Sequence, residues 1–175
     1  MLHVTKRVTI NRPRQEVYRF WRDLENLPRF MQHLESVRVI GGQRSHWVAK
    51  APVGKVEWDA EIVAERENEL IAWRSLEGSE IRSEGSVRFV DAPADRGTEL
   101  SVELEYEAPG GSLGATVAKL LGEEPTQQIR DDLRRFKQVM ETGEVVLSDG
   151  SLEGAGQGAT NQRSAQAPTK AEVSR

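Results

Sequence analysis

The feature that most constrains this fold is an alternation of apolar and polar residues between Ser36 and Glu107. Six segments carry it: SVRVIGG, SHWVAKAP, VEWDAEIVAE, ELIAWRSLEG, IRSEGSVRFV and TELSVELEYE. A two-residue period is typical of strands that bury one face. Gly, Pro, Asn or Asp stands between most segments, and connections this short join antiparallel neighbours. The chain must therefore cover one face of an antiparallel sheet.

Helices stand on either side of this alternating region. The first segment, HVTKRVTIN, predicts a further strand, and Pro13 then opens a helix with an apolar face. A second short helix is predicted in LENLPRFMQHL. The long helix LLGEEPTQQIRDDLRRFKQVME follows the last strand, with breaks at Gly122 and Pro125. Seven antiparallel strands with segregated helices predict an α+β fold.

Only the long helix has the length to cover the sheet. Its apolar residues Ile129, Leu133, Phe136 and Met140 form one stripe on a 3.6-residue period, and we expect this stripe to face the sheet. On the other face of the strands, alternation places carboxylates and arginines. We expect that outer face to be solvated and held by weak cross-strand ion pairs.

Length and composition narrow the functional classes. The chain has 175 residues, which suits one domain over residues 1–142, and the Gly-, Ala- and Ser-rich segment 143–175 predicts a disordered tail. A net charge of −4 without a basic stripe argues against a nucleic-acid partner. Cysteine is absent, and no apolar run is long enough to insert stably in a membrane. We expect a cytoplasmic protein.

Few residues suggest chemistry. His3, His33 and His46 are too scattered for a local metal-binding pair, so no metal site and no cofactor are predicted. His46 and Trp47 are neighbours in a strand, so one of the two must point inward. We interpret His46 as a structural or surface histidine and not as a general base. The segment GGSLG at 110–114 is interpreted as a turn before a helix and not as a phosphate-binding loop.

The inward positions assigned by alternation offer only neutral polar groups. These are Ser75, Ser83 and Tyr106, while nearly all carboxylates are assigned to the outer face. Acid/base catalysis needs carboxyl groups aimed into one dry pocket. No catalytic residue is therefore predicted.

The element order resembles the START-like (SRPBCC) superfamily, which has the helix-grip fold. The segments that carry the resemblance are PRQEVYRFWRDLENLPRFMQHLESVRVI, IAWRS, GSVRF and GGSLGATVAKLLGEEPTQQIRDDLRRFKQVME. They are similar to the polyketide cyclase/dehydrase and coenzyme Q-binding branch. The resemblance implies a curved seven-stranded sheet wrapped around the long C-terminal helix, with an apolar cavity between them.

What the resemblance implies is binding of a lipid, an isoprenoid quinone or a polyketide-like molecule in that cavity. Two alternatives remain: a cyclase/dehydrase enzyme, and a protein- or ribosome-interaction module. Small residues such as Gly85 are expected to leave space among aromatic walls, with Phe30 and Met31 as an adaptable lip. The predicted cavity-lining residues are Trp58, Ile62, Ile71, Trp73, Ser75, Gly85, Val87, Phe89, Leu100, Val102, Tyr106, Ile129, Leu133, Phe136, Phe30 and Met31. The ligand and the oligomeric state stay open.

Overall fold

The computed structural model describes residues 2–50, 54–107 and 124–143. Within these ranges seven strands form one antiparallel sheet in the order β1-β7-β6-β5-β4-β3-β2. The strands are β1 Leu2–Ile10, β2 Leu34–Gly41, β3 Arg44–Lys50, β4 Lys55–Arg66, β5 Leu70–Ser75, β6 Arg82–Asp91 and β7 Thr98–Glu107. Consecutive strands pair from β2 to β7, and β1 adds beside β7. The prediction of an α+β fold with seven antiparallel strands is confirmed.

The helices fall where the sequence predicts them. Helix α1 spans Arg14–Arg22, and a 3-10 helix, Leu24–Arg29, takes the place of the predicted second short helix. A one-turn 3-10 helix, Pro93–Asp95, lies between β6 and β7, and helix α2 spans Pro125–Thr142. The break at Gly122, the GGSLG turn and the tail from 144 lie outside the described residues.

The apolar stripe of α2 faces the core. Ile129, Leu133 and Phe136 are buried as predicted. The last turn is rotated slightly from the prediction, because Val139 is buried while Met140 is only packed against the core. The helix therefore contacts the sheet through the face that the sequence predicts.

An aromatic cluster fills the space beneath the two helices. The ring of Phe136 lies 5.2 Å from Trp21 and 4.7 Å from Phe30, measured between ring centroids. Phe20 adds a further ring 5.8 Å from Phe136. The geometry is tilted or edge-on, which aromatic rings prefer over a face-to-face sandwich.

The outer face of the sheet carries cross-strand ion pairs, as the alternation predicts. Arg74 on β5 lies 3.2 Å from Glu61 on β4, and Arg82 on β6 lies 3.5 Å from Glu107 on β7. The arginine side chains of these pairs are more than half exposed. Each pair therefore contributes little to stability.

A bulge at Val63 changes the alternation within β4. Pairing with β5 shifts there, so Glu65 lies opposite Ile71 on the face that carries α1. Its carboxylate accepts hydrogen bonds from the Tyr18 hydroxyl and from Arg22 Nε, both at 2.6 Å. Burial and the hydrogen bond to Glu65 raise the pKa of Tyr18 to about 12. The bulge thus re-aims one carboxylate to dock α1 on the sheet.

The end of α2 is fastened to the first strand by what we call the C-terminal latch: Arg12, Lys137 and Glu141. Arg12 donates from Nε to the carbonyl of Met140 and from Nη2 to that of Glu141, both at 2.9 Å. Lys137 Nζ donates to the carbonyl of Thr9 at 2.6 Å and lies 2.7 Å from Glu141. The two bonds from Arg12 satisfy carbonyls at the end of the helix, and the bond from Lys137 to Thr9 ties the helix to β1.

Strand β2, which forms one of the two edges of the sheet, is irregular. Its pairing with β3 is interrupted between Leu34 and Ser36 and again between Val39 and Gly41. The N–H of Val39 donates to a carboxylate oxygen of Glu25 at 3.3 Å. The edge is therefore kinked twice and partly covered by a charged side chain.

Candidate functional site

A row of small and hydroxyl-bearing residues crosses the inner face of the sheet. Strand register places Tyr106 opposite Ser83, Ser75 opposite Ala60, and Ala60 opposite Ser45. The row is continuous between β5 and β6, because the N–H of Ser83 donates to Oγ of Ser75 at 3.0 Å. We call these five residues the hydroxyl row. It runs from β7 to β3 through a largely apolar interior.

Three tryptophans pack beside the hydroxyl row. Trp47 stacks on Trp58 and on Trp73, with centroid distances of 5.8 Å and 6.2 Å, and its Nε1 donates to Ser45 Oγ at 2.8 Å. The indole nitrogen of Trp58 is buried and has no hydrogen-bond partner among the described residues. Of the two adjacent residues His46 and Trp47, Trp47 therefore faces inward and His46 lies on the outer face.

The expectation that Gly85 leaves open space is wrong. A Cβ built on Gly85 would lie 2.4 Å from the indole ring of Trp73, which stands opposite it in the register. The ring occupies the volume that the missing side chain releases. Gly85 is therefore a packing partner of Trp73, a pairing in which an aromatic residue covers a glycine on the neighbouring strand.

A buried ionic cluster lies where the 3-10 helix region meets α2. His33 and Asp132 are only 6% and 2% exposed, and Nδ1 of His33 lies 3.7 Å from Oδ2 of Asp132. The other carboxylate oxygen, Oδ1, accepts hydrogen bonds from the N–H of Gln32 at 3.2 Å, from Gln128 Nε2 at 3.0 Å, and from Arg135 Nη2. Three donors on one oxygen, one of them a guanidinium, are the surroundings of a carboxylate anion.

The imidazole of His33 is the unusual member of this cluster. Both ring nitrogens are buried, and neither has a hydrogen-bond partner among the described residues. Buried polar atoms in native proteins are nearly always paired, and an unpaired one raises the free energy of the folded state. The indole nitrogens of Trp21 and Trp58 and Nε of Arg14 share this condition, but His33 is the residue in which both polar atoms are affected.

Tyr106 joins the ionic cluster to the hydroxyl row. Its ring centroid lies 6.4 Å from that of His33, edge to face. Burial, and then the negative charge of Asp132, raise the pKa of Tyr106 well above its ordinary value, against a hydrogen bond from Ser83 that lowers it. The phenol therefore stays neutral and is available as a hydrogen-bond donor.

The conclusion that only neutral polar groups point inward is wrong. Asp132 is missed because the α2 stripe was defined by apolar residues alone, although position 132 lies between Ile129 and Phe136 on the same helical face. The position of Asp132 within the stripe was the sequence signal that could have indicated its burial. His33 precedes β2 and lies outside any periodic element, so no sequence pattern assigns it a face.

The predicted cavity-lining residues divide into two packed groups. Phe30 and Phe136 belong to the aromatic cluster, while Trp58, Trp73 and Tyr106 surround the hydroxyl row. All sixteen are buried or half-buried. The half-buried residues are Ile62, Ser75 and Gly85, and the buried ones are Phe30, Met31, Trp58, Ile71, Trp73, Val87, Phe89, Leu100, Val102, Tyr106, Ile129, Leu133 and Phe136. That they contact a ligand stays a prediction.

Phe30 and Met31 do not form an exposed lip. They are 1% and 4% exposed, and Phe30 packs between Trp21 and Phe136. The turn after the 3-10 helix carries both side chains into the core. They are part of the aromatic cluster that supports α2.

Two open clefts lie on the outer face and are polar. One of about 670 Å³ is lined by arginines and glutamates of β3 to β6, among them Arg44, Glu61 and Arg74, and also by Ser75 and Ile81 at the turn between β5 and β6. A second, of about 600 Å³, is lined by His46, Asp59 and neighbouring charged residues. Their charges largely pair with one another, so neither suits an apolar ligand.

The part of the chain that the structure describes contains no group of three or more histidine and carboxylate side chains arranged to hold a metal ion. In the same residues, no helix combines the length and the apolar character needed to cross a bilayer.

Comparison with known proteins adds the family. The family model described as polyketide cyclase/dehydrase and lipid transport matches residues 10–134. A crystal structure of a Deinococcus radiodurans protein is 42% identical, with a TM-score of 0.69, and the match covers 82% of this chain and 100% of that one.

Two more distant structures share the fold. A START superfamily protein from Mycobacterium smegmatis is 18% identical, with a TM-score of 0.59, over 75% of this chain and 93% of that one. The Zhui aromatase/cyclase from a Streptomyces species is 16% identical, with a TM-score of 0.59, over 83% and 99%. The resemblance in element order is confirmed: the chain has the helix-grip fold of START-like proteins and belongs to the polyketide cyclase/dehydrase and lipid transport family.

Proposed function

We propose that this protein binds a hydrophobic small molecule, such as a lipid, an isoprenoid quinone or a polyketide-like compound, between α2 and the inner face of the sheet. The observation that carries the proposal is the hydroxyl row, which runs beside stacked tryptophans to the imidazole of His33, a ring without a hydrogen-bond partner among the described residues. Ligand sites combine apolar walls with a few convergent polar groups. Family membership supports the same function.

A core built only for stability accounts poorly for this arrangement. The buried nitrogens of His33 and the indole nitrogen of Trp58 have no partner among the described residues. Replacing such groups by apolar ones of similar shape is nearly neutral or stabilising. A ligand that supplies hydrogen bonds or fills apolar volume gives these polar groups a role.

The first test is native mass spectrometry of freshly purified protein, followed by solvent extraction of any molecule that adds mass. In parallel, quinones, fatty acids, fatty alcohols and aromatic polyketides are screened for tryptophan quenching and thermal stabilisation. A ligand at one hundred times its Kd stabilises the folded state by about 2.7 kcal/mol. We expect at least one compound that both quenches and stabilises.

A matched pair of variants places the site. Ala60→Leu fills the hydroxyl row, because Ala60 is buried in it, and Ala72→Leu adds the same volume on the outer face. We expect Ala60→Leu to abolish quenching while the circular dichroism spectrum stays native, and Ala72→Leu to bind normally. Equal binding by both variants would contradict the proposed site.

A second candidate function is a cyclase/dehydrase reaction on a polyketide-like substrate. The specific observation in its favour is that His33, Asp132 and Tyr106 are groups able to transfer or hold protons in one dry region. The test is conversion of an aromatic polyketide precursor, compared between the native protein and Tyr106→Phe. Binding without conversion would leave the ligand-binding function alone.

A further inference from the structure

We infer that the polar end of the ligand is a neutral hydroxyl group (a phenol, enol or alcohol) and not a carboxylate, and that Nε2 of His33 accepts its hydrogen bond. The inference rests on the proposed function, because it names the chemistry of the same interior site. Three features of the ionic cluster lead to this inference: the orientation of His33, the charge of Asp132 and the hydrogen bonds that Arg135 already makes.

The position of Asp132 fixes the orientation of the His33 proton. Oδ2 of Asp132 is 3.7 Å from Nδ1 of His33, while Oδ1 already holds three donors. A proton on Nδ1 faces the carboxylate, whereas a lone pair there would face a negative charge. In its neutral form the imidazole therefore carries its proton on Nδ1. Its Nε2 is left as an acceptor.

That acceptor is buried and unfilled. Nε2 of His33 has no donor within hydrogen-bond distance among residues 2–50, 54–107 and 124–143, and the side chain is 4% exposed. A ligand O–H supplies the missing donor. An ether, a ketone or a hydrocarbon does not.

A carboxylate on the ligand would be disfavoured at this position. It would place a second negative charge beside Asp132, in a region that is almost fully shielded from water. The guanidinium of Arg135 already uses two of its five N–H groups within the protein, since Nη2 donates to Asp132 and Nε donates to the carbonyl of Phe30 at 3.1 Å. The phenol of Tyr106 is neutral.

The experiment uses three probes of one size: 2-naphthol, 2-naphthoate and naphthalene. Their dissociation constants are measured by isothermal titration calorimetry at neutral pH on the full chain. We expect naphthol to bind about tenfold more tightly than naphthalene, which corresponds to one buried hydrogen bond, and naphthoate to bind more weakly than either. Naphthoate binding as tightly as naphthol, or more tightly, would overturn the inference.

Two histidine variants assign the acceptor. His33→Phe is expected to lower naphthol affinity about tenfold, to the level of naphthalene, and to leave naphthalene binding unchanged. His46→Phe makes the same substitution on the outer face, where His46 Nδ1 lies 2.7 Å from Asp59, and is expected to change none of the three affinities. An unchanged preference for naphthol in His33→Phe would refute the assigned role.

Asp132→Asn provides an independent measurement if His33→Phe does not fold. It removes the negative charge and keeps the shape of the side chain. We expect naphthoate affinity to rise about tenfold relative to naphthol, and an unchanged ratio would overturn the charge argument. Failure of all three probes to bind, together with no added mass in the native spectrum, would overturn the proposed function itself. Binding without hydroxyl preference would overturn only the present inference.

Discussion

The two halves of α2 rest on the same sheet and are built for different purposes. The C-terminal half carries Phe136 into the aromatic cluster and ends in the C-terminal latch, where Arg12 donates to two helix carbonyls. The N-terminal half buries Asp132 against an imidazole whose nitrogens lack partners among the described residues.

The difference shows which part of the helix stabilises the fold and which part contains buried polar atoms that lower its stability. The C-terminal half combines dense aromatic packing with satisfied helix-end carbonyls, although the indole nitrogen of Trp21 in the same cluster has no hydrogen-bond partner among the described residues. Local departures from polar satisfaction concentrate at functional sites and persist only where the surroundings hold them in place. The comparison therefore assigns support to the C-terminal half of the helix, and the N-terminal half is the one that we propose for ligand recognition.

The largest expected effect concerns the aromatic cluster. Phe136→Ala should destabilise the protein by about 3–5 kcal/mol, because Phe136 is fully buried and its loss leaves a cavity between Trp21 and Phe30. Urea unfolding followed by tryptophan fluorescence measures the change. The control is Arg134→Ala, at an exposed position of the same helix, with an expected change of about 0.5 kcal/mol or less. Equal effects would mean that the helix face is misassigned.

The latch should contribute a smaller amount. Arg12→Met removes both hydrogen bonds to the end of α2 and should destabilise the fold by about 1 kcal/mol, since the side chain is exposed to solvent. Arg19→Met, at an exposed position of α1, is the control and should be neutral. Amide hydrogen exchange should show the loss as faster exchange in the last turn of α2. Protection unchanged there would show that the latch does not hold the helix end.

The N-terminal half should respond with the opposite sign. His33→Phe is expected to leave stability unchanged or raise it by up to about 1 kcal/mol, because neither buried ring nitrogen makes a hydrogen bond among the described residues and the new ring is apolar. Thermal denaturation without ligand measures the change. A loss of more than about 1 kcal/mol would indicate that His33 contributes to the folded core, and the contrast between the two halves would fail.

The smallest expected effect is a pH dependence at the latch. Partial burial alone would raise the pKa of Glu141, but hydrogen bonds from Lys137 and from the N–H of Asn11 bring it below its ordinary value of 4.5. A lowered pKa in the folded state means that the stabilisation is present above pH 4.5 and is lost as the pH falls through the folded-state value. Glu141→Gln should therefore lose less stability than the native protein between neutral and strongly acidic pH. Parallel curves would contradict this assignment.

Sequence patterns predict the fold well because alternation and helical period report which side chains are buried. They predict Trp58, Trp73 and Tyr106 as inward residues, and the structure agrees. The sequence patterns do not predict the bulge at Val63, because an inserted residue shifts the alternation while the composition of the strand stays the same. Local patterns do not contain this pairing information.

The candidate site is predicted only in part. Four members of the hydroxyl row follow from the alternation of single strands, but Ser45 does not, because alternation left the inward face of β3 open; the continuity of the row depends on strand register. The ionic cluster does not follow, because Asp132 is held inside by donors that include Gln32, distant in sequence, and His33 lies in a turn. Burial of a charge depends on partners that come together only in three dimensions.

The irregular edge strand β2 has a consequence for self-association. An open sheet offers unpaired N–H and C=O groups to the edge of another copy, and such pairing is a route to fibrils. The two interruptions in β2 prevent a long, flat template, and the carboxylate of Glu25 occupies the N–H of Val39 beside the exposed side chain of Ile40. A Glu25→Ala variant would return that N–H to solvent next to two half-exposed apolar residues. At high concentration such a chain should form thioflavin-positive aggregates sooner than the native protein, although its folded interior is unchanged.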